Sequence, residues 1–478
     1  MFFVACGGER LIIQNEYIDE TLSYESHLEE TTPEEIAEHT SDTIYTIVET
    51  DYGTQRIFPP GTLSLEHFLE DIDYLVYVLE NNFALLEVAH WARGVDIYEL
   101  ADNARTDVFA AYGAGELCED MYLAILNVNF WPMFNIGHFD IFTPSRYNSM
   151  LTNPYGVGYR SPVAMRNNRL SATPLARRFY EDRVGNSGRY TELFIALAEK
   201  RDENYNHVFG TLSDDLVRTP VSSSSPVTTE ITEEGHIGYI SHSSFFDRSQ
   251  TQIFNFYEEI SGFEHLIIDL RGNGGGDINV FVNTLFGPNI TEAITISSFH
   301  FFMDGPYIRK HGDDIFIRTA SNGHMVIPTS YRPVSEILEE HEFADIRLHE
   351  FDRLHYGVAS NTGSISPHIT PFGSRLAFDG KIWMLTDSAM LSAANAATWF
   401  SMQTDFATHV GDTTGGAFGG LRTLALLPNT GIAIYFDVFY ITDEHGRSLE
   451  AGIIPHHFNR PGMDALETVL ALIAEGEY

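Results

Sequence analysis

Positive charge is scarce in this sequence. Of its 478 residues, 28 are Lys or Arg and 67 are Asp or Glu, which gives a formal net charge of −39 at pH 7. The lysines are Lys200, Lys310 and Lys381. Nucleic acids and anionic membrane surfaces are bound through clustered cations. The composition therefore argues against nucleic acid as a partner.

Cysteines and long apolar runs are also scarce. The two cysteines, Cys6 and Cys118, cannot form a disulfide framework or a thiolate metal site by themselves. No apolar run approaches the roughly 20 residues that span a bilayer, so we predict no transmembrane segment. A hydrophobic content of 44% with 20% charged residues indicates a globular chain, long enough for about two or three domains.

The first residues leave two interpretations open. The segment Phe3-Val4-Ala5-Cys6-Gly7-Gly8 resembles the end of a bacterial lipoprotein signal, but the charged region and most of the apolar region of such a signal are missing. Either Cys6 is a lipid anchor or the likeness is accidental. Residues 11–55 contain acidic residues and no Lys or Arg. We predict that residues 1–61 are an acidic leader that could act as a tether, and that the protein is extracytoplasmic, in the cell envelope or secreted.

Residues 62–219 have the pattern of a mainly helical domain. Ser64 can cap a helix in which Leu65, Phe68, Ile72, Leu75 and Leu79 recur at helical spacing. Pro, Ser and Thr then dominate residues 220–234, which predicts a linker. Further helices are predicted over residues 98–111, 115–128 and 175–200.

The remaining residues, 235–478, begin with an α/β pattern. A strand at 235–240 and a helix at 248–260 precede the stretch HLIIDLRGNGGG, residues 265–276. This order predicts a parallel strand pair with a right-handed crossover. Gly272, Gly274, Gly275 and Gly276 leave backbone amides able to approach a ligand and stabilise an oxyanion, although a tight turn alone would also favour glycines. The spacing of the glycines does not fit a dinucleotide-binding motif.

A second informative stretch covers residues 381–420. A buried strand at 382–385 leads through a short turn to Ser392, which opens an alanine-rich helix extending to Gln403. At such a position a hydroxyl is exposed and the helix dipole favours negative charge, as a nucleophile requires. The alternative is that Ser392 only caps the helix. Further on, Pro428-Asn429-Thr430-Gly431 predicts a hairpin turn, and a last helix is expected from Asp464.

These motifs, together with Gly411-Asp412-Thr413-Thr414-Gly415-Gly416, resemble the core of the C-terminal processing (tail-specific) serine peptidases. That wider family includes the tricorn protease core and the retinoid-binding repeats of the eye. The resemblance covers residues 233–478 and implies an α/β fold, a crotonase/ClpP-like spiral core with crossover helices. It also implies a serine-type endopeptidase with a peptide or protein substrate, which needs neither a metal nor a cofactor.

The family resemblance also implies a set of site residues. Ala417 stands where the tail-specific branch has its catalytic lysine, so a Ser-Lys dyad is excluded at that position. The tricorn-like branch uses histidine and glutamate. Segments around His138 (NIGHF) and Glu450 (LEAGIIP) resemble the segments that supply them. The resemblance therefore implies Ser392 as nucleophile, His138 as general base and Glu450 as the group that orients it. The oxyanion hole would be formed by the amides of Gly275 and Ala393.

Two departures from the family pattern support a rival function. Asn395 stands where the S-x-x-E pattern has an acid, and His456 stands where the C-terminal segment has an acid. The alternative is a family member that has lost catalysis and binds peptides or an apolar ligand. His138 could likewise be a structural histidine among the twenty present. Asp269 and Arg271 are expected to fix the glycine turn, and His456 and His457 alone are too few for a metal site.

Overall fold

The computed structural model describes most of the chain between residues 45 and 476 and a short strand near the start. Cys6 and the first part of the predicted linker lie outside the described residues. The described ranges are 10–12, 45–134, 136–152, 167, 169–200, 227–246, 250–311, 318–319, 325–328, 331–341, 343, 353–365, 376–418 and 422–476.

Helices dominate the described part of residues 62–200, as predicted. The first begins after Ser64, whose backbone N–H donates to Nδ1 of His67 at 3.0 Å. The helix predicted over 175–200 is two helices, because the chain turns at Gly185, where φ is 81°. The helices of this region are α1 (Leu65–Asn82), α2 (Leu86–Arg93), α3 (Ile97–Gly113), α4 (Glu119–Phe130), α5 (Pro144–Thr152), α6 (Pro174–Tyr180) and α7 (Gly188–Glu199).

The second half of the chain mixes helices and strands. Its helices are α8 (Gln250–Glu259), α9 (Ile278–Phe281, continued by a π-helical turn Val282–Phe286), α10 (Pro306–His311), α11 (Val334–Glu340), α12 (Ala393–Gln403) and α13 (Ala465–Glu475). The strands of the whole chain are β1 (Arg10–Ile12), β2 (Thr46–Thr50), β3 (Gly53–Ile57), β4 (Asp140–Ile141), β5 (Val227–Glu233), β6 (Ile237–His242), β7 (His265–Asp269), β8 (Ile294–Phe302), β9 (Arg318–Thr319), β10 (Met325–Pro328), β11 (Arg332–Pro333), β12 (Tyr356–Ile365), β13 (Lys381–Thr386), β14 (Thr408–Gly411), β15 (Arg422–Leu426), β16 (Ala433–Asp437), β17 (Phe439–Asp443) and β18 (His457–Phe458).

A six-stranded sheet forms the centre of the second half, in the order β18-β14-β13-β7-β6-β5. Its strands are parallel except for the edge pair β5 and β6. Helix α8 connects the parallel strands β6 and β7, as the sequence pattern predicted. Every residue of β7 is buried, because helices cover both faces of a parallel sheet. On one face α13 packs Val469 and Leu472 against Ile267 and Trp383.

The predicted α/β fold with a mainly helical N-terminal region is confirmed. The structure also contains two features in segments predicted to be irregular. Strands β2 and β3 form a hairpin inside the predicted leader, and β5 occupies the second half of the predicted linker. One continuous hydrophobic core includes buried residues of both the helical region and the sheet region. The division of the chain at residues 62, 220 and 235 stays a prediction.

A small sheet joins the helical region to the rest of the chain. Strand β4 pairs with β16, which also pairs with β15 to form the predicted hairpin around residues 428–431. The tip of this hairpin is held by Asp71 of α1, whose carboxylate accepts hydrogen bonds from the backbone N–H groups of Asn429 and Thr430, both at 2.9 Å. Burial raises the pKa of Asp71 to about 7. These contacts fix β16 against α1 and thereby position the far end of the strand.

Among the helices of the described residues, none is long and apolar enough to cross a membrane. The lipid anchor at Cys6 and the extracytoplasmic location stay predictions.

Candidate active site

Loops from three parallel strands meet at the carboxyl-terminal edge of the central sheet. After β7, the Gly272 N–H donates to the carboxylate of Asp387, in the loop that follows β13, at 3.0 Å. The Leu391 N–H donates to the Asn273 carbonyl oxygen at 3.2 Å, and the Gly415 N–H, in the loop after β14, donates to the Met390 carbonyl oxygen at 2.8 Å. The carboxyl edge of an open α/β sheet is a usual place for a binding site.

The glycine turn is fixed by an ion pair, as predicted. The Arg271 guanidinium contacts the Asp269 carboxylate at 2.7 Å and the Asp464 carboxylate at 3.1 Å. These hydrogen bonds raise the pKa of Arg271. Asp269 also accepts a hydrogen bond from the Arg271 backbone N–H at 2.9 Å. The turn therefore has a fixed shape before any ligand arrives.

Ser392 lies at the convergence of the three loops, immediately before α12. Its backbone is in an unusual conformation, with φ 55° and ψ −120°. A positive φ is strained for a residue with a Cβ, and strain of this kind concentrates at functional sites. The Ser392 N–H donates to the Gly416 carbonyl oxygen at 3.0 Å, and Leu391 forms a parallel bridge with Gly416. The sequence predicted this strand–turn–helix placement, which directs the positive end of the helix dipole toward the serine.

Gly275 packs directly against Ser392. A Cβ atom added to Gly275 would lie 2.7 Å from the Ser392 Cβ and 2.9 Å from the Ala393 backbone nitrogen, and φ of Gly275 is 99°. The predicted oxyanion-hole residues, Gly275 and Ala393, are therefore neighbours. In this structure the Gly275 N–H donates to Oδ1 of Asn273 at 2.8 Å. The Ala393 N–H is at the first position of a helix, where no intrahelical carbonyl is within reach.

Substituting Gly275 by alanine is expected to lower kcat/KM about 100-fold or more. The added Cβ must displace Ser392 or Ala393, and a misplacement of about 1 Å in a catalytic group costs about that factor. The matched control is Gly274→Ala in the same turn, where an added Cβ meets nothing within 4 Å. Rates of fluorophosphonate labelling of the two variants and of the parent measure the effect. Equal rates for both variants would show that the close packing at Gly275 does not matter.

His138 lies at the end of a 3-10 turn, Ile136–His138. Gly137 and His138 both have positive φ, 52° and 51°. An added Cβ on Gly137 would lie 2.8 Å from a ring carbon of Phe83. The Nδ1 atom of His138 is 2.6 Å from Oδ2 of Asp437, a hydrogen bond between residues 299 apart in sequence. The Nε2 atom is buried and has no hydrogen-bond partner among the described residues.

Burial lowers the pKa of His138, so its imidazole is neutral at neutral pH. The Asp437 carboxylate acts in the opposite direction, and the charges of Arg422 and Arg146 add to the lowering. A general base must be neutral to accept a proton, and these surroundings keep it so. With Nδ1 hydrogen-bonded to a carboxylate, the lone pair on Nε2 is available for a proton.

Glu450 is buried. Its Oε2 atom accepts a hydrogen bond from the Phe418 N–H at 3.1 Å, and its carbonyl oxygen lies against the α-carbon of Gly416. The Gly416 carbonyl oxygen in turn accepts a hydrogen bond from the Ser392 N–H, whereas Asp437 is the residue hydrogen-bonded to Nδ1 of His138. Asp437 was missed in the sequence. The signal was present as a lone acid inside the apolar run IAIYFDVFYI.

No hydrogen bond joins Ser392 to His138 in the part of the chain that the structure describes. In ligand-free sites the bonds between catalytic groups are often long and shorten only with substrate. The assignment of Ser392, His138 and Glu450 stays a prediction.

The two departures from the family pattern have structural roles. Asn395 is fully buried, and its side-chain amide donates to the Leu449 carbonyl oxygen at 2.9 Å, while its Oδ1 accepts from the Thr414 hydroxyl at 2.6 Å. A carboxylate at position 395 could not make the first of these bonds. His456 accepts a hydrogen bond from the His409 N–H at 2.9 Å, near the amino end of β14. Both side chains therefore make hydrogen bonds that hold neighbouring segments of the chain together.

Ala417 is buried with φ 56°, and Lys381 begins β13, at the edge of the sheet opposite to Ser392. The Lys381 ammonium lies 5.5 Å from the centre of the Trp383 ring.

Near Lys381, the side chains of His236, Glu264 and His265 have possible metal-ligand atoms within 4.8 Å of one another. In this cluster Nδ1 of His236 is 2.8 Å from Oε2 of Glu264. The Trp383 indole N–H donates to Nδ1 of His265 at 3.3 Å. Burial lowers the pKa of His265, and the charges of His236 and Lys381 add to the lowering. We interpret the cluster as a hydrogen-bonded group of side chains at the amino edge of the sheet.

Comparison with known proteins agrees with the geometry. Residues 236–457 match the sequence model of peptidase family S41. No curated protein matches the sequence.

Among solved structures the chain is similar to several peptidases. Mature CPAF complexed with lactacystin is 14% identical, with 82% of this chain and 94% of that chain covered and a TM-score of 0.43. A candidate peptidase from Parabacteroides merdae is 14% identical, with 85% and 96% covered and a TM-score of 0.44. The photosystem II D1 C-terminal processing protease is 15% identical over 50% of each chain, with a TM-score of 0.29. These likenesses are too distant to assign residues. The match of residues 236–457 to the sequence model of peptidase family S41 supports a serine peptidase.

Proposed function

We propose that this protein is an endopeptidase that forms an acyl-enzyme on Ser392, with His138 as the general base. The observation that supports this most strongly is the placement of Ser392. It combines a strained backbone, the N-terminus of an apolar helix and contact with a glycine turn rich in backbone donors. The buried Nε2 atom of His138, with Nδ1 already hydrogen-bonded, is the second supporting observation.

The reaction proceeds in two stages. The Ser392 Oγ atom attacks the carbonyl carbon of a peptide, and its proton passes to Nε2 of His138. The C–N bond then breaks, and the same proton goes to the leaving amine. Water attacks the acyl-enzyme in the second stage, transferring a proton to His138 and then back to Ser392. Two carboxylates are candidates to orient the histidine: Glu450, implied by the family resemblance, and Asp437, whose Oδ2 atom lies 2.6 Å from Nδ1 of His138.

The oxyanion that forms in each stage would be held by the amides of Ala393 and Gly275. The Gly275 N–H must exchange the neutral side-chain Oδ1 of Asn273 for the oxyanion. A charged acceptor binds an N–H roughly twice as strongly as a neutral one. Each such donor typically contributes about 3 kcal/mol to the transition state.

A fluorophosphonate probe tests the proposal without knowledge of the substrate. We expect the intact protein to be labelled on Ser392, and Ser392→Ala to remove the label. The matched control is Ser388→Ala, an exposed serine in the same loop, which should label like the parent. Absence of labelling in the intact protein would favour the rival function, an inactive family member that binds peptides or an apolar ligand.

A further inference from the structure

The strand pair β4–β16 brings together the segments that carry His138 and Asp437. In this antiparallel pair, Ile141 pairs with Ile434 and Asp140 pairs with Tyr435. His138 lies two residues before Asp140, in the 3-10 turn, and Asp437 lies two residues after Tyr435, at the end of β16. The Nδ1 atom of His138 lies 2.6 Å from Oδ2 of Asp437.

Asp437 is entirely buried at the end of β16, with a side-chain exposure of 0%, against 13% for His138. Taking a carboxylate out of water costs several kcal/mol unless a charged or polar partner repays it. Its Oδ1 atom has no hydrogen-bond partner among the described residues. Burial of the Asp437 carboxylate lowers the stability of the fold, and its hydrogen bond goes to the imidazole of His138. This indicates that the bond serves the imidazole.

Glu450 has a different position. Its carboxylate accepts from the Phe418 N–H, and its backbone lies against Gly416, which in turn accepts from the Ser392 N–H. These contacts support the loop beneath the nucleophile. Burial lowers the pKa of His138, the Asp437 carboxylate on β16 raises it, and the charges of Arg422 on β15 and Arg146 on α5 lower it.

We infer that Asp437, rather than Glu450, is the positioning residue that holds His138 in the tautomer and orientation required of a general base. This inference rests on the proposed function. The Asp437 carboxylate accepts the Nδ1 proton, directs the Nε2 lone pair into the site, and stabilises the imidazolium that forms when Ser392 loses its proton.

The test measures the rate of fluorophosphonate labelling of Ser392 between about pH 4 and 9 in the parent, Asp437→Asn and Glu450→Gln. Asn keeps the size of the side chain but removes the charge and can impose the wrong tautomer. We expect Asp437→Asn to slow labelling about 10²- to 10⁴-fold. Because Asp437 raises the pKa of His138, its loss should also move the acid limb of the pH profile to lower pH. Glu450→Gln should leave the position of the acid limb unchanged.

The acid limb is the low-pH side of the profile, where protonation of His138 stops labelling. A shift of this limb distinguishes a positioning role of Asp437 from a merely structural one. An Asp437→Asn variant that is slower without a shift in the limb would overturn the inference, and so would a shift in Glu450→Gln. If Asp437→Asn does not fold by circular dichroism, the Glu450→Gln profile still decides, because an unmoved limb supports Asp437 and a moved limb supports Glu450. Absence of labelling in the parent protein would instead contradict the proposed function.

Discussion

Ser392→Gly is expected to abolish turnover while leaving the protein at least as stable as Ser392→Ala. Removal of the nucleophile from a serine hydrolase costs on the order of 10⁶ in kcat. The positive φ of Ser392 is strained for serine and for alanine, at a cost of about 1–3 kcal/mol, but is not strained for glycine. Glycine also lowers the free energy of unfolding by about 0.5–1 kcal/mol, because it gives the unfolded chain greater conformational freedom. The net expectation is a stability about 1 kcal/mol above that of Ser392→Ala.

Chemical denaturation of the two variants measures this difference as a shift of the midpoint at an unchanged slope m. Asp405 provides a control, since its φ is 50° and it lies outside the site in the turn after α12. Asp405→Gly should gain stability over Asp405→Ala for the same reason, with labelling of Ser392 unaffected. A Ser392→Gly variant less stable than Ser392→Ala would mean that the backbone at 392 stores no strain.

The nucleophile side of the site could be predicted from the sequence because its parts are local. A buried strand followed by glycines, and a second strand followed by a serine and an alanine-rich helix, each show in a single stretch of chain. Parallel strands place the loops after their carboxyl ends at one edge of a sheet. The contact between Gly275 and Ser392 therefore follows from two local patterns and one rule of topology.

The histidine side could be predicted only in part. The segment around His138 carries a visible motif, but its partner Asp437 is 299 residues away and has no motif of its own. The pairing that joins them depends on β4, which has two residues, too few for an alternating pattern to be visible. A buried acid in an apolar strand requires a partner. The sequence indicates that requirement at Asp437 without identifying the partner.

Asn395 shows why a departure from a family motif can mislead. From the sequence it suggested lost activity, because an acid is usual at that position. In the structure its amide donates to the backbone of Leu449 and accepts from Thr414, so it joins α12 to two loops beside the nucleophile. A neutral side chain that both donates and accepts suits a fully buried site better than a carboxylate does. The change is explained by packing, without any loss of a catalytic group.

Both His138→Ala and His138→Asn are expected to slow labelling of Ser392 about 10³-fold or more. Only His138→Ala should also have a much lower free energy of unfolding. Alanine leaves the buried Asp437 carboxylate without its imidazole, and orphaning a buried charge costs about 3 kcal/mol or more. Alanine also retains the strain of φ 51°. Asparagine tolerates a positive φ and carries an N–H donor that can face Asp437.

Denaturation midpoints and labelling rates of the two variants separate catalysis from packing at this residue. His355→Ala serves as a control, since His355 lies in the loop before β12, and it should leave both quantities near those of the parent. If His138 is only a core histidine, His138→Asn will keep the parent's labelling rate, because the buried hydrogen bond to Asp437 would then be all that the site requires. A 10³-fold loss of labelling in a His138→Asn variant that stays folded is the result expected if the imidazole takes the proton from Ser392.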